Sequence, residues 1–174
     1  IESDGQNGVI GGTSRAGGGS GGSIHIDTTT LNGTGVISSN GGGGQEGYWW
    51  GTSGSGGRIA LYYEDGTFPV TELANVHAYG GILGSYAGPG TIYLEDKIND
   101  QPQSGTLIID NNSINSLYAG VPEGDYQFKQ IKATRYGHVE FMGNASVLTL
   151  SSNNSIVGDT TSPTISSKGT LQYT

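Results

Sequence analysis

The sequence predicts an all-β protein, a glycine-rich parallel β-helix (β-solenoid) whose repeats stack on one another. Glycine supplies 33 of the 174 residues, two short motifs recur in step through the first half, and apolar residues alternate with polar ones in short runs. Good helix formers are scarce, and apolar residues nowhere recur at i, i+3 and i+4 over a useful length. Helices are therefore not predicted.

The first motif is a glycine-rich run followed by a short alternating strand. Residues 20–26 read Ser-Gly-Gly-Ser-Ile-His-Ile, residues 55–61 read Ser-Gly-Gly-Arg-Ile-Ala-Leu, and residues 88–94 match more loosely as Gly-Pro-Gly-Thr-Ile-Tyr-Leu. The second motif runs at the same phase. It begins with an aliphatic residue and ends in glycine, at residues 1–5, 37–41 and 76–80. Two motifs in phase are hard to produce by glycine bias alone.

Alternation within the copies predicts which side chains face the interior. Neighbouring side chains of a strand point to opposite faces. Stacking in register would form two inward ladders, Ile24 with Ile59 and Ile92, and Ile26 with Leu61 and Leu94. The residues between them would form an outward column of His25, Ala60 and Tyr93. Strands this short cannot bury one face alone, so neighbouring units must cover them.

The glycines are expected to have two roles in these repeats. Tight corners between strands require positive φ, and closely stacked loops require backbones to approach with no Cβ between them. Flexible linkers are the alternative for Gly/Ser runs. Linkers do not carry an aligned Ile-x-Ile or Ile-x-Leu after each run, so an ordered structure is favoured.

The repeat changes character after about residue 100, where glycine becomes less frequent. Short β-branched, alternating segments follow, separated by Asn, Gly, Ser and Asp. We therefore divide the chain into glycine-rich solenoid repeats at 1–95 and a second part at 96–174, with a junction near 96–104. The second part is predicted to continue the solenoid coils or to form a small all-β subdomain, and a β-sandwich is the alternative.

Composition excludes several classes of function. The net charge is −8, and the seven basic residues are scattered from Arg15 to Lys168, so a nucleic-acid binder is not indicated. No apolar stretch reaches the length of a membrane span. With no cysteine, the chain has no disulfide framework and no thiol nucleophile. A weakly charged surface rich in hydroxyls and amides favours a secreted or cell-surface location.

The run Gly-Gly-Gly-Ser-Gly-Gly-Ser-Ile at 17–24, with its partner Ile-Ser-Ser-Asn-Gly-Gly at 37–42, resembles the glycine-rich repeats of very large exported, bacterial-type surface and adhesin-like proteins. The resemblance covers residues 1 to about 95. It implies a parallel β-helix stalk or ectodomain outside the cell, and it implies no catalytic activity.

One loop contains both tryptophans of the chain. Tyr48, Trp49 and Trp50 are flanked by glycines, and aromatic rings presented on a loop stack on sugars or anchor protein interfaces. We therefore consider them candidate ligand-binding residues for a carbohydrate or a partner protein. The alternative is that the loop folds over a hydrophobic edge of the domain.

Acidic residues follow several predicted strands at turns, where extracellular modules recruit calcium. The candidate calcium ligands are Asp65, Asp96, Asp100 and Asp110. No EF-hand loop and no nonapeptide calcium repeat is present, so solvated turn acids are the alternative. The three histidines His25, His77 and His138 fall in predicted strands, where polar surface positions explain them.

These observations favour a structural or adhesive segment that self-associates into fibres or binds other surface proteins. A carbohydrate-binding module that uses the aromatic loop, with glycans as partners, is the second hypothesis. A polysaccharide-degrading β-helix enzyme is the third, although no pair of carboxylates can be placed across a groove from the sequence. Catalytic residues are therefore not assigned.

Overall fold

The computed structural model describes residues 1–9, 16–45, 51–71, 74–83, 85–152 and 155–173. Every regular element in these ranges is a β-strand, which confirms the all-β prediction. No helix in them has the length and hydropathy to cross a membrane. The strands are β1 (Ser23–Asp27), β2 (Ile37–Ser38), β3 (Arg58–Tyr63), β4 (Val76–His77), β5 (Thr91–Asp96), β6 (Thr106–Asp110), β7 (Ala119–Val121), β8 (Asp125–Phe128), β9 (Gln130–Thr134), β10 (His138–Phe141), β11 (Val147–Leu150), β12 (Ile156–Val157), β13 (Thr164–Ser167) and β14 (Thr170–Tyr173).

The predicted ladders are present in the largest sheet. That sheet has the order β1-β3-β5-β6-β9-β12. Ile24 pairs with Ile59, which pairs with Ile92, and the three are 9%, 2% and 2% exposed. Ile26, Leu61 and Leu94 pair in the same way, as does the outward column of His25, Ala60 and Tyr93. Each buried aliphatic side chain of this kind contributes roughly 1.5–3 kcal/mol.

The second motif is also aligned as predicted. Ile37 of β2 pairs in parallel with Val76 of β4, and Glu2 bridges in parallel to Ser38. Side chains reinforce this stack, because Asn40 N donates to Asp4 Oδ1 (2.6 Å) and Tyr79 N donates to Asn40 Oδ1 (2.9 Å). The repeats are thus joined by an amide and carboxylate ladder as well as by the backbone.

The second half contains three successive strand triplets, β6–β8, β9–β11 and β12–β14. Each strand pairs in parallel with the corresponding strand of the next triplet, which forms two three-stranded sheets and extends the large sheet. This parallel pairing does not fit the alternative of a β-sandwich, whose sheets are antiparallel. The pair β5–β6 is antiparallel and connects the two halves.

Two hydrophobic cores lie on opposite faces of the large sheet. Ile92 pairs with Ile108 across β5–β6, and both belong to the core of the first half. The neighbouring Leu107 and Ile109 point to the other face, into the core of the second half. The core therefore changes sides of the sheet where β5 passes to β6.

The glycine runs form six extended segments in two layers, rather than turns. Segments at 3–8, 39–44 and 78–83 make one layer, and segments at 17–22, 52–57 and 87–90 make the other. Within a layer the segments run parallel: Gly18 N donates to Thr52 O and Gly21 N donates to Ser55 O. Between layers they run antiparallel, with Gly54 N donating to Gly42 O and Gly57 N to Ser39 O.

These hydrogen bonds repeat every three residues. Three residues per turn is the period of the polyproline II helix, which has no internal hydrogen bonds. Successive peptide groups of such a segment point to different neighbours, so the 39–44 segment bonds to its layer neighbours on both sides and to the opposite layer. At most glycines of these segments, backbone packs directly on backbone.

This arrangement corrects one expectation about the glycines. Of the described glycines only Gly33, Gly66 and Gly143 have a positive φ, and none of these lies in the six segments. The other predicted role, close approach of backbones with no Cβ between them, is the one observed. A Cβ at Gly42 would lie 2.1 Å from Gln6 O, so side chains are excluded because the neighbouring backbone occupies their space.

Candidate functional site

An elongated groove lies where the two halves meet. Its floor is the outer face of β3 and β5, which is not covered by the core of the first half. Its wall is β7 and β8, which belong to the second half. Floor and wall meet at an angle because the hydrophobic core changes from one face of the sheet to the other at β5–β6. The groove has a volume of about 650 Å³, within the range of small-molecule sites.

Aromatic rings run along the groove. Tyr62 and Tyr93 come from neighbouring strands, and their ring centroids are 5.5 Å apart. Tyr93 continues to Phe128 at 6.2 Å, and Phe128 is parallel to Tyr126 at 6.1 Å. The stripe begins outside the groove at His25, which is 5.2 Å from Tyr62. Such centroid distances are those of interacting aromatic pairs.

Two of these tyrosines are held in place through their hydroxyl groups. Tyr93 Oη donates to Glu95 Oε2 (2.6 Å) and accepts from Gly105 N (2.8 Å). Burial, together with the hydrogen bond to Glu95, raises the pKa of Tyr93 above its ordinary value. Tyr126 Oη donates to Pro122 O (2.9 Å). The rings are therefore fixed before any ligand arrives.

Two polar groups without a hydrogen bond or ion pair to any described residue also face the groove. Neither the guanidinium of Arg58 nor the hydroxyl of Tyr62 makes a hydrogen bond or ion pair within the described part of the chain. Burial and the carboxylates of Glu95 and Asp27 raise the pKa of Tyr62, so its hydroxyl stays protonated at neutral pH. Asp125 and Gln127 of β8 are exposed on the opposite wall.

A second cleft extends the groove along the glycine layers. It has a volume of about 360 Å³ and shares Arg58, Thr91 and Gly120 with the first. The hydroxyls of Ser20, Ser23 and Ser55 lie along it. The two clefts adjoin at these three shared residues, and together they are called the channel.

The four acids predicted as calcium ligands are not brought together. Asp96 and Asp100 share one turn, where Asp96 accepts from Asn99 Nδ2 and Asp100 forms an ion pair with Lys129 at 2.6 Å. Asp65 accepts from Gly66 N in a separate turn. Within the described ranges no group of three or more His, Cys, Asp or Glu residues is placed to hold a metal.

Asp110, the fourth of these acids, has a structural role at the junction of the halves. Its side chain is completely buried and forms a bidentate ion pair with Arg135. Arg135 also donates to Tyr79 Oη (2.9 Å), and the hydrogen bond with Asp110 raises the pKa of the guanidinium. The sequence did not indicate this pair, because 25 residues separate its members.

The histidines lie apart from one another, and two of them are buried enough to titrate abnormally. Burial lowers the pKa of both His77 and His138. His77 Nδ1 lies 3.0 Å from Asn40 Oδ1, and its ring stacks on Tyr79. His138 Nδ1 is buried and has no hydrogen-bond partner among the described residues. Protonation of His138 would therefore bury an N–H group without an acceptor.

We expect the free energy of unfolding to decrease as the pH falls from about 7 to about 5. A histidine whose pKa is lowered in the folded state takes up its proton more readily when unfolded, so stability is lost below the ordinary pKa of about 6.5. His138→Phe keeps a ring against Tyr118 and is expected to flatten this dependence. Urea unfolding of both proteins at three pH values measures the effect. Identical pH profiles would contradict it.

The predicted ligand-binding loop of Tyr48, Trp49 and Trp50 lies outside the described residues, so that hypothesis stays a prediction. Sequence analysis missed the groove, although one signal for it was available. Tyr93 was placed in the outward column, and Arg58 and Tyr62 fall on the same face of the repeat by simple alternation. The wall formed by β7 and β8 was not predictable from local pattern.

Comparison of the chain with models of protein families, with curated proteins and with solved structures finds no match.

Proposed function

We propose that the chain is a β-solenoid segment of an exported surface protein and that its role is structural and adhesive. The observation that carries the proposal is the parallel, in-register stacking of repeats in both halves. In such a stack each unit contacts its neighbours, and further units extend it without a change of geometry. The resemblance of residues 17–24 and 37–42 to the repeats of surface proteins supports the same proposal.

The last triplet, β12–β14, supports self-association. Leu171 pairs with Leu148 and Tyr173 pairs with Leu150. Leu148 and Leu150 are buried, whereas Leu171 and Tyr173 are 46% and 50% exposed. These side chains occupy core positions of the stack that no further strand covers within the described residues, and the outer backbone groups of β14 form an open sheet edge.

We therefore expect a chain of these 174 residues to self-associate through the exposed face of β14. Sedimentation velocity should show a weight-average mass that rises with concentration. Replacing both Leu171 and Tyr173 with glutamate should shift the association to at least about tenfold higher concentration, because charges would face the partner strand.

Tyr86→Glu is the matched control, since Tyr86 is similarly exposed, at 56%, but lies outside the last triplet. It should leave the association unchanged. A monomer at every concentration would contradict self-association, and an equal effect of the control would contradict its assignment to the last triplet. If the protein associates as expected, electron microscopy of concentrated protein shows whether the assembly is a fibre.

A polysaccharide-degrading enzyme receives no support from the groove. Glycoside hydrolysis uses two carboxyl groups that flank the scissile bond. Among the described residues that line the groove, Asp125 is the one acid.

A further inference from the structure

We propose that the channel between the two halves binds a linear carbohydrate chain that carries acidic sugars. The pyranose rings would stack on the aromatic floor, and a carboxylate or sulfate of the chain would pair with Arg58. This inference goes beyond the structural role and does not depend on self-association. It also assigns glycan binding to residues other than the Tyr48, Trp49 and Trp50 loop.

The aromatic floor argues for sugar rings as ligands. Tyr62 and Tyr93 lie side by side on the outer face of the sheet, and both are partly exposed. A sugar ring has an apolar face that packs on an aromatic ring, and its hydroxyl groups need polar partners at the edge. The fixed hydroxyl of Tyr93 makes the floor rigid, so little ordering entropy is lost on binding.

The shape of the channel argues for a chain rather than a single sugar. The two clefts adjoin at Arg58, Thr91 and Gly120, which line both of them. Serine, threonine and glutamine side chains line their length, and these neutral donors and acceptors suit a row of hydroxyl groups. An extended polymer could contact both clefts at once, whereas a monosaccharide would fill a fraction of the space.

Arg58 argues for acidic sugars. It is the one basic residue among the described residues that line the two clefts. Its guanidinium is exposed and has no described protein partner. Guanidinium groups bind carboxylates and sulfates in a bidentate manner. The acid Asp125 stands on the opposite wall, where it can accept hydrogen bonds from sugar hydroxyls.

The test measures binding of defined hexasaccharides to the full chain by isothermal titration calorimetry. The probes are a galacturonate oligomer and a glucose oligomer of equal length. We expect the galacturonate oligomer to bind, to bind more weakly as salt increases, and to bind at least about tenfold more tightly than the glucose oligomer.

Three variants locate the site. Arg58→Gln should lose most of the preference for the acidic oligomer and most of its salt dependence. Tyr62→Ala should weaken binding of the acidic oligomer by about tenfold, because it removes the stacking surface. Tyr86→Ala, at an exposed tyrosine outside the channel, should bind as the wild type does. Circular dichroism checks that each variant is folded.

Tyr62 contacts His25 and Tyr93, so its variant could lose structure. Gln127→Ala, at an exposed position of the wall, then replaces it, and NMR shift changes in the wild type should map to the channel. Absence of binding by either oligomer at millimolar concentration would overturn the proposal. So would binding that survives Arg58→Gln and Gln127→Ala but disappears in Trp49→Ala or Trp50→Ala. Equal binding of both oligomers would overturn the assignment of acidic sugars.

Discussion

Gly54→Ala is expected to destabilise the first half by at least about 1–3 kcal/mol, the cost of overpacking a closely packed interior. A Cβ at position 54 would lie 2.0 Å from Gly19 O and 2.3 Å from Gly19 C, which are backbone atoms of the neighbouring segment in the same layer. Gly54 also donates to Gly42 O and accepts from Gly81 N. The segments 17–22 and 52–57 cannot separate to make room without loss of the hydrogen bonds from Gly18 N to Thr52 O and from Gly21 N to Ser55 O.

Gly35→Ala is the matched control for this substitution. Gly35 lies in the connection before β2, and a Cβ there would meet no atom within 4 Å. The stability should stay unchanged or rise by up to about 1 kcal/mol, because alanine restricts the unfolded chain. Urea unfolding followed by circular dichroism measures both variants. Equal stabilities of the two variants would show that the glycine segments are not packed backbone on backbone.

Arg135→Met is expected to lower the free energy of unfolding by about 3 kcal/mol, at the lower end of the range for breaking a buried ion pair. The Asp110 carboxylate is completely buried, and its partner is Arg135, whose side chain is 32% exposed. Removal of the guanidinium leaves the carboxylate buried without its counter-charge. The partial exposure of Arg135 is the reason for choosing the lower end.

Lys168→Met is the control for loss of a surface ion pair. Lys168 pairs with Glu140 at 3.2 Å, but its side chain is 59% exposed, so an effect within about 0.5 kcal/mol is expected. The double variant Asp110→Leu with Arg135→Met should recover part of the stability lost in Arg135→Met, since it removes the uncompensated charge as well. An Arg135→Met variant as stable as the control would show that the fold does not depend on this ion pair.

The ladders were predictable because they depend on a local pattern that the repeat amplifies. A period of two within each strand fixes which side chains face inward, and the spacing of the copies fixes which strands become neighbours. Ile24, Ile59 and Ile92 therefore meet as expected. The same logic placed the second motif correctly, although its strands contain only two residues each.

The geometry of the glycine runs was predicted only in part. Close approach of backbones was expected, but straight segments in two layers were not. A run such as Gly17-Gly18-Gly19 has no side chains, so it carries no alternating pattern that predicts which neighbour each peptide group will face. The choice between a tight turn and an extended segment depends on partners from residues 3–8 and 39–44, which are distant in sequence.

From the sequence alone the all-β class, the two ladders and the outward face that carries Tyr93 were determined. The antiparallel β5–β6 pair, the change of side of the core and the channel that results were decided only by tertiary structure. The physical reason is the range of the forces involved. Alternation and stacking act between neighbours of known spacing, whereas the channel depends on how two separately packed cores share one sheet.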